Sequence, residues 1–495
     1  MKKLNEKTYK EKVLGCWLGK AAGGTLGGPY EGICRQLNLK YYDPVPTKML
    51  PNDDLDLQIV WAVKLAQMKQ PVISRYNFIS AWQENIGYSW DEYGVAKRNI
   101  ALGLKPPLTG SYDNWFVNGM GAAIRSEIWA CLAPGNPELA ASYAFEDACV
   151  DHADNGIYAE MLLAAMESVA FIESNMDRII DYGLSAIPHC SIKQAIIDTC
   201  NWWYKLRDWK EVRFYILNNY RDDNWTDVHI NIPFIILGLL AGGGDFGQSI
   251  RIAANCGYDT DCTAATVGSI LGIINPNSIG SEWLKPLGRN IVLSPEIIGI
   301  KSPANLNMFT EMIVDLRNKL AERPPIVQEV SQSTNHLKIH ARMALLDFYL
   351  DKNMPKIGFA CWQMPESAVD IYLNGTIGRL EGESISSPTV IIQYEINIKN
   401  ECDAIIMFNT RNTYAVWVDN ECVLSFRYES PQPMVPALHR GNSKKSHHFT
   451  PGKHTITAVT NKPEYDEDLE WVIGLSDTKK FEWLVDVFER GLLST

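Results

Sequence analysis

The chain has 495 residues, 46% hydrophobic and 21% charged, which is too long for one ordinary core and excludes wholesale disorder. With 46 Lys and Arg against 58 Asp and Glu, the formal charge of −12 repels phosphate backbones and speaks against nucleic acid as a partner. The 11 cysteines form no CxxC pair and have no regular spacing, the pattern of free thiols in a reducing compartment rather than of a disulfide frame or a zinc site.

The N-terminal MKKLNEKTYKEKVLG lacks an apolar core of signal-peptide length. Helix signals then dominate to about residue 325. The apolar run Leu57 to Leu65 predicts a helix, with Asn52 or Asp53 as its N-cap. Ile157 to Ile172 is rich in Ala, Leu, Met and Glu, all strong helix formers. Ile230 to Leu240 is the most apolar stretch, too short to span a bilayer and followed by Gly242-Gly243-Gly244, and reads as a buried helix. In Ala264 to Ile274 the apolar residues Val267, Ile270, Leu271 and Ile274 share one helical face. These features lead us to expect a cytoplasmic protein with no membrane partner.

Past residue 321 the pattern changes. ERPPIVQEVSQSTN reads as a linker, and β signals follow. Thr389 to Ile398 is rich in β-branched residues, and Tyr414 to Phe426 reads as strand, turn at Asp419-Asn420, strand. Pro451-Gly452 is a turn leading into HTITAV, and the sequon Asn374-Gly375-Thr376 is also read as a turn. Leu337 to Leu350 suits helix and strand equally. The expected fold class is multi-domain α+β: an all-α domain over 1–325, then an all-β sandwich or jelly roll over 336–495.

Two acidic clusters stand about 200 residues apart. The first is Asn52-Asp53-Asp54-Leu55-Asp56; the second, Tyr258-Asp259-Thr260-Asp261-Cys262-Thr263, precedes a helix of small residues. Helix capping accounts for one carboxylate at each place. Three acids in four residues repel one another unless a cation or hydrogen-bond donors neutralise them, and oxygen-only clusters favour Mg²⁺, Mn²⁺ or Ca²⁺. Periodicity does not show that the clusters meet.

Four segments, in order, resemble the ADP-ribosylglycohydrolase family: GCWLGKAAGGTLGGPYEG (Gly15 to Gly32), NDDLD, GAAIR (Gly121 to Arg125) with Ala148 to Gly156 beyond it, and GYDTDCTAATVGSILG. The resemblance implies a compact all-α catalytic fold with two Mg²⁺ ions, Mn²⁺ being an alternative. It implies metal ligands at Asn52, Asp53, Asp54, Asp259, Asp261 and Cys262, with Thr263 standing in if the thiol fails. Asn52 stands where the family has Thr or Ser, and Cys262 where it has Thr. Glu31 matches the glutamate set over the reacting sugar and, with Asp54, is the expected catalytic residue. Gly119, Met120, Gly121, His152 and Tyr258 are expected to contact substrate. Gly24 replaces a family Asp, and Met120 a family Asn, which weighs against ADP-ribose as the substrate. His152 and Met120 also suit plain packing, and Trp202-Trp203-Tyr204 suits a buried aromatic cluster better than a base-stacking platform.

The implied function is metal-assisted water attack at C1 of a ribosyl (ADP-ribosyl-type) bond, through an oxocarbenium-like state. The partner is then a small ribosyl or glycosyl compound or an ADP-ribosylated target. Alternatives are a nucleoside or small-glycoside hydrolase on the same fold, or an inactive module that binds ADP-ribose or a glycan. Trp417, Tyr428, His439 and Arg440 of the β region suit a sugar platform less well than simple packing.

Overall fold

The computed structural model describes residues 4–320, 327–328, 330–350, 354–358, 360–429, 434, 443–464 and 467–490. An all-α region over 5–320 is followed by an antiparallel β region of two sheets. By compactness the chain forms two units. One holds residues 1–88, 109–111 and 116–329, and the other 89–108, 112–115 and 330–495. No helix among the described residues is long and apolar enough to cross a membrane.

In the first unit, the opening helix Glu6–Gly27 starts where the Asn5 side chain accepts the Thr8 N–H at 2.8 Å. It runs antiparallel to the helix Thr260–Ile274. The contact is a stripe with a four-residue step: Gly15, Gly19, Gly23 and Gly27 lie against Gly272, Gly268, Ala264 and Thr260. A Cβ at any of the four glycines would overlap backbone of the opposite helix. Only glycine allows the two axes to come this close, and the stripe sets the register between residues 27 and 260. Thr260 Oγ1 locks that end by donating to Gly27 O at 2.8 Å.

The expected helices appear as Asp53–Ala66, Asp154–Ala170 and Val228–Ala241. Asn52 is the N-cap of the first of these, its Oδ1 accepting the Asp54 N–H at 2.7 Å.

Among the described residues ten strands build the two sheets of the second unit: β1 (Ile339–Leu346), β2 (Val369–Leu373), β3 (Ile377–Leu380), β4 (Thr389–Ile398), β5 (Cys402–Thr410), β6 (Tyr414–Val418), β7 (Glu421–Phe426), β8 (Lys444–Phe449), β9 (Gly452–Asn461) and β10 (Leu469–Asp477). The six-stranded sheet runs β2-β1-β4-β9-β6-β7 and the four-stranded sheet β3-β10-β5-β8. One apolar core draws on both, with Ile392 and Ile396 from β4, Ile406 and Phe408 from β5, and Ile473 from β10. Trp471 Nε1 donates to Tyr394 Oη at 2.6 Å, joining the sheets across that core.

The ambiguous Leu337 to Leu350 resolves as the strand β1, paired on both edges with β2 and β4. The Asn374-Gly375 turn does not close a hairpin: β2 and β3 lie in different sheets. The turn is held by Asp113, whose carboxylate accepts the Thr376 N–H (2.7 Å) and the Ile377 N–H (3.0 Å) and pairs with Arg98 at 3.0 Å. The helix Asp91–Ala101, which carries Arg98, belongs to this second unit although it comes from the helical part of the sequence. Trp417 is 0% exposed and packs edge-on against Trp362 at 5.1 Å. It therefore offers no surface to a sugar, and His439 and Arg440 lie outside the described residues.

Candidate metal centre

The glycine stripe delivers the second acidic cluster to the end of the opening helix. After Gly27 the chain makes a short turn, Gly28–Tyr30, and Glu31 follows. Gly32 N donates to Tyr258 O at 2.9 Å and Tyr258 N to Ile33 O at 3.0 Å, so the Glu31 loop is pinned to the loop before Asp259. Gly257 and Tyr258 both have positive φ, 75° and 66°. A side chain at 257 would overlap the Arg35 carbonyl, so glycine is required there. Asn231, buried on the helix Val228–Ala241, accepts the Asp259 N–H at 3.2 Å and fixes the start of the Asp-x-Asp segment.

The first cluster meets the second at this point. Asn52 Nδ2 donates to Asp261 Oδ2 at 3.3 Å, across 209 residues. Asp54, Asp261 and Cys262 each turn one ligand atom into the same space, all within 4.8 Å of one another. Asp54 is 1% exposed and Asp261 5%. Neither oxygen of Asp54 has a nitrogen or oxygen donor, nor does Oδ1 of Asp261. The Cys262 Sγ lies within 4.8 Å of a ligand oxygen of each of Asp54 and Asp261.

Asp56 is different in kind. Its Oδ2 accepts from Tyr88 Oη (3.0 Å) and Ser294 N (2.9 Å), which makes it a structural anchor. Asp53 is half-buried and Glu31 is exposed. Glu31 adds its negative charge to the field on all four aspartates 53, 54, 259 and 261.

Burial and then the neighbouring carboxylates push Asp53, Asp259 and Asp261 well above the usual carboxylate range. Burial also raises Asp54, to about 6, although the Lys20 ammonium pulls against it. Burial and the same acids raise the Cys262 thiol. Buried acids this close, with oxygens lacking donors, are what a divalent cation neutralises; without one the group holds protons instead.

Two neutral positions are otherwise engaged. Asn52 Oδ1 is committed to the helix cap, and the Thr263 hydroxyl turns back to Thr260 O at 3.2 Å. Gly24 faces Asn52: a Cβ there would stand 3.2 Å from Asn52 Nδ2.

The other expected substrate contacts are placed as follows. Met120 is 1% exposed and packed. His152 is fully buried, takes the Ala122 N–H on Nε2 at 3.3 Å and faces Asp151 with Nδ1 at 3.0 Å. Gly119 donates its N–H to Phe116 O, and Gly121 O accepts from Arg125 Nη1. Tyr258 immediately precedes Asp259 and is tied by its backbone to the Glu31 loop. Trp203 is buried, whereas Tyr204 is exposed and edges a cavity of about 560 Å³ beside Leu271 and Ile274, at the far end of the Thr260 helix.

Sequence reasoning missed the groups behind Asp54. Lys20 Nζ, buried, bonds Glu127 Oε1 and Ile124 O, both at 2.8 Å. Gln58 Nε2 donates to Asp54 O (2.8 Å) and to Glu127 Oε2 (2.7 Å). A lysine within a glycine stripe, on a helix with little polar surface, was the available signal.

The helical scaffold thus joins two sequence-distant acidic clusters in one buried pocket. Residues 5–316 match the ADP-ribosylglycohydrolase family, and the chain belongs to that family, whose members are hydrolases. A solved structure titled as an ADP-ribosylglycohydrolase-related protein complex is 19% identical with a TM-score of 0.44, over 63% of this chain and 99% of that one. No curated protein matches.

Proposed function

We propose that this chain is a divalent-cation-dependent glycohydrolase that cleaves a ribosyl bond of the ADP-ribosyl type. One observation carries the reading: three carboxylate oxygens, on Asp54 and Asp261, are buried without nitrogen or oxygen donors where two sequence-distant clusters converge. A cation in this pocket supplies positive charge and Lewis acidity toward sugar hydroxyls.

The chain's own residues do the rest. Asp54 and Asp261 hold the cation, with Asp53 and Asp259 completing its surroundings. Glu31 is exposed yet within electrostatic reach of all four, and acts as the general acid or base that moves a proton at the glycosidic oxygen or the attacking water. Lys20, Glu127 and Gln58 hold the first turn of the Asp53 helix from behind. The β unit acts as an accessory domain.

Calorimetric titration of the chelator-treated chain tests this, first with Mg²⁺, Mn²⁺ and Zn²⁺, then with ADP-ribose, ribose and nucleosides. Sugar binding that needs the cation supports the proposal. Binding of ribose or nucleosides in preference to ADP-ribose moves the leaving group to a smaller glycoside. A chain that binds no cation, or binds sugar equally without one, overturns the proposal.

A further inference from the structure

We propose that the ion in this pocket is held by sulfur as well as oxygen: Asp54, Asp261 and Cys262 form a mixed-donor site that selects a zinc-like divalent ion over magnesium. The proposal rests on the reading above that a cation occupies the pocket, and it specifies which one.

Three observations carry it. Among the described residues, Asp54, Asp261 and Cys262 are the group whose ligand atoms converge, within 4.8 Å. An ion about 2.0–2.3 Å from each donor in a tetrahedral site holds the donors roughly 3.3–3.8 Å apart, so the three side chains close inward by up to about 1 Å on binding. The carboxylate members are 1% and 5% exposed with unpartnered oxygens aimed into the gap, so the need for a positive charge does not rest on the acidic cluster alone.

The third observation is what fills the remaining coordination. Mg²⁺ takes six oxygens in a near-regular octahedron. Of the neutral oxygens nearest in sequence to these acids, Asn52 Oδ1 already accepts the Asp54 N–H and the Thr263 hydroxyl is turned toward Thr260 O, to which it donates. Cys262 Sγ remains. It is 7% exposed, and Sγ lies within 4.8 Å of ligand oxygens of Asp54 and Asp261, so the sulfur faces the groups an ion would join. Thiolate donors favour Zn²⁺ and Co²⁺ and disfavour Mg²⁺. On binding, the Cys262 S–H bond breaks, its electron pair forms the S–metal bond and the proton passes to solvent.

The test uses the full chain, stripped with chelator and returned to chelator-free buffer, with Co²⁺ as the probe. A thiolate-to-cobalt charge-transfer band in the near ultraviolet is expected, displaced by Zn²⁺ but not by equal Mg²⁺. The band should vanish in Cys262→Ser while Co²⁺ still binds by calorimetry. The preference for Zn²⁺ over Mg²⁺ should fall by at least about 10-fold in that variant. Cys262→Thr, which also puts a hydroxyl in place of the thiol and adds a methyl, gives the same readings if the serine variant does not fold. Co²⁺ bound without the band, or an unchanged ion preference in either variant, overturns the sulfur ligand and leaves the cation site intact. Absence of any ion binding by the unmodified chain overturns both this proposal and the function it rests on.

Discussion

Asp151 and Asp54 are both buried acids of the helical unit, and their protonation shifts in opposite directions. Burial alone would raise Asp151. Arg125 and His152 outweigh it, holding the carboxyl down at about 2. Arg125 reaches Asp151 with two nitrogens, at 2.6 and 2.9 Å, and Asp147 with a third at 2.9 Å. At Asp54 burial wins, and the carboxyl stands at about 6. The GAAIR segment and the Asp151-His152 segment are thus two sides of one internal salt bridge, completed within the fold. Among the described residues both oxygens of Asp54 and Oδ1 of Asp261 lack such a partner, which separates an acid satisfied within the fold from acids that are not.

The most disruptive way to probe that contrast is Arg125→Met. It strands two buried carboxylates and should cost about 3–5 kcal/mol of unfolding free energy in urea titration, with or without added cation. Asp261→Ala should behave oppositely. The chelator-treated variant should be at least as stable as the parent, because a buried carboxyl with an unpartnered oxygen is gone. It should lose the stabilisation a cation gives the parent, about 2.7 kcal/mol at 100 times the dissociation constant, read as a missing rise in melting temperature. A stable Arg125→Met, or an Asp261→Ala that still responds to cation, would erase the distinction.

Gly23→Ala tests whether the glycine stripe holds the two clusters together. Its new methyl meets the Ala264 carbonyl, so a loss of about 1–3 kcal/mol and a weaker cation affinity should appear together. Loss of stability with affinity unchanged would mean the pocket does not depend on that register.

The gentlest probe is pH. A carboxyl raised to about 6 favours the folded state fully below about pH 4, and that contribution disappears as pH rises through about 6. Cation-free protein should therefore lose about 1–2 kcal/mol across that interval, and saturating cation should flatten the slope. Asp151 gives the reverse sign, with stability present above about pH 4 and lost as pH falls toward about 2.

Local patterns were legible where local physics decides. β4 occupies Thr389–Ile398, the stretch its β-branched residues predict, and the turn at Asp419-Asn420 separates β6 from β7. β1 was not legible, because IHARMALL mixes helix formers with β-branched Ile; its two neighbours in the sheet decide. The helix Asp91–Ala101 looked like any other helix, and its membership of the β-containing unit depends on Arg98 meeting Asp113 and Thr376. In the site, residue types were legible and partners were not. Asp53, Asp54 and Asp56 look alike in sequence, yet only Asp56 meets Tyr88 and Ser294. Asn52 was read as a metal ligand and also as a cap; its carbonyl oxygen serves as the cap. Four-residue glycine spacing in two segments was the one visible sign that the clusters meet.

That stripe also sets the order in which the domain can be made. The Gly27 carbonyl waits for a hydroxyl 233 residues further along. A chain still on the ribosome short of Thr260 has its first helix complete but its glycine face uncovered, and only one of the two acidic clusters exists. Contacts of such sequence separation form late and leave partly made chains exposed to aggregation. The pocket between the two clusters is therefore among the last parts of the domain to form.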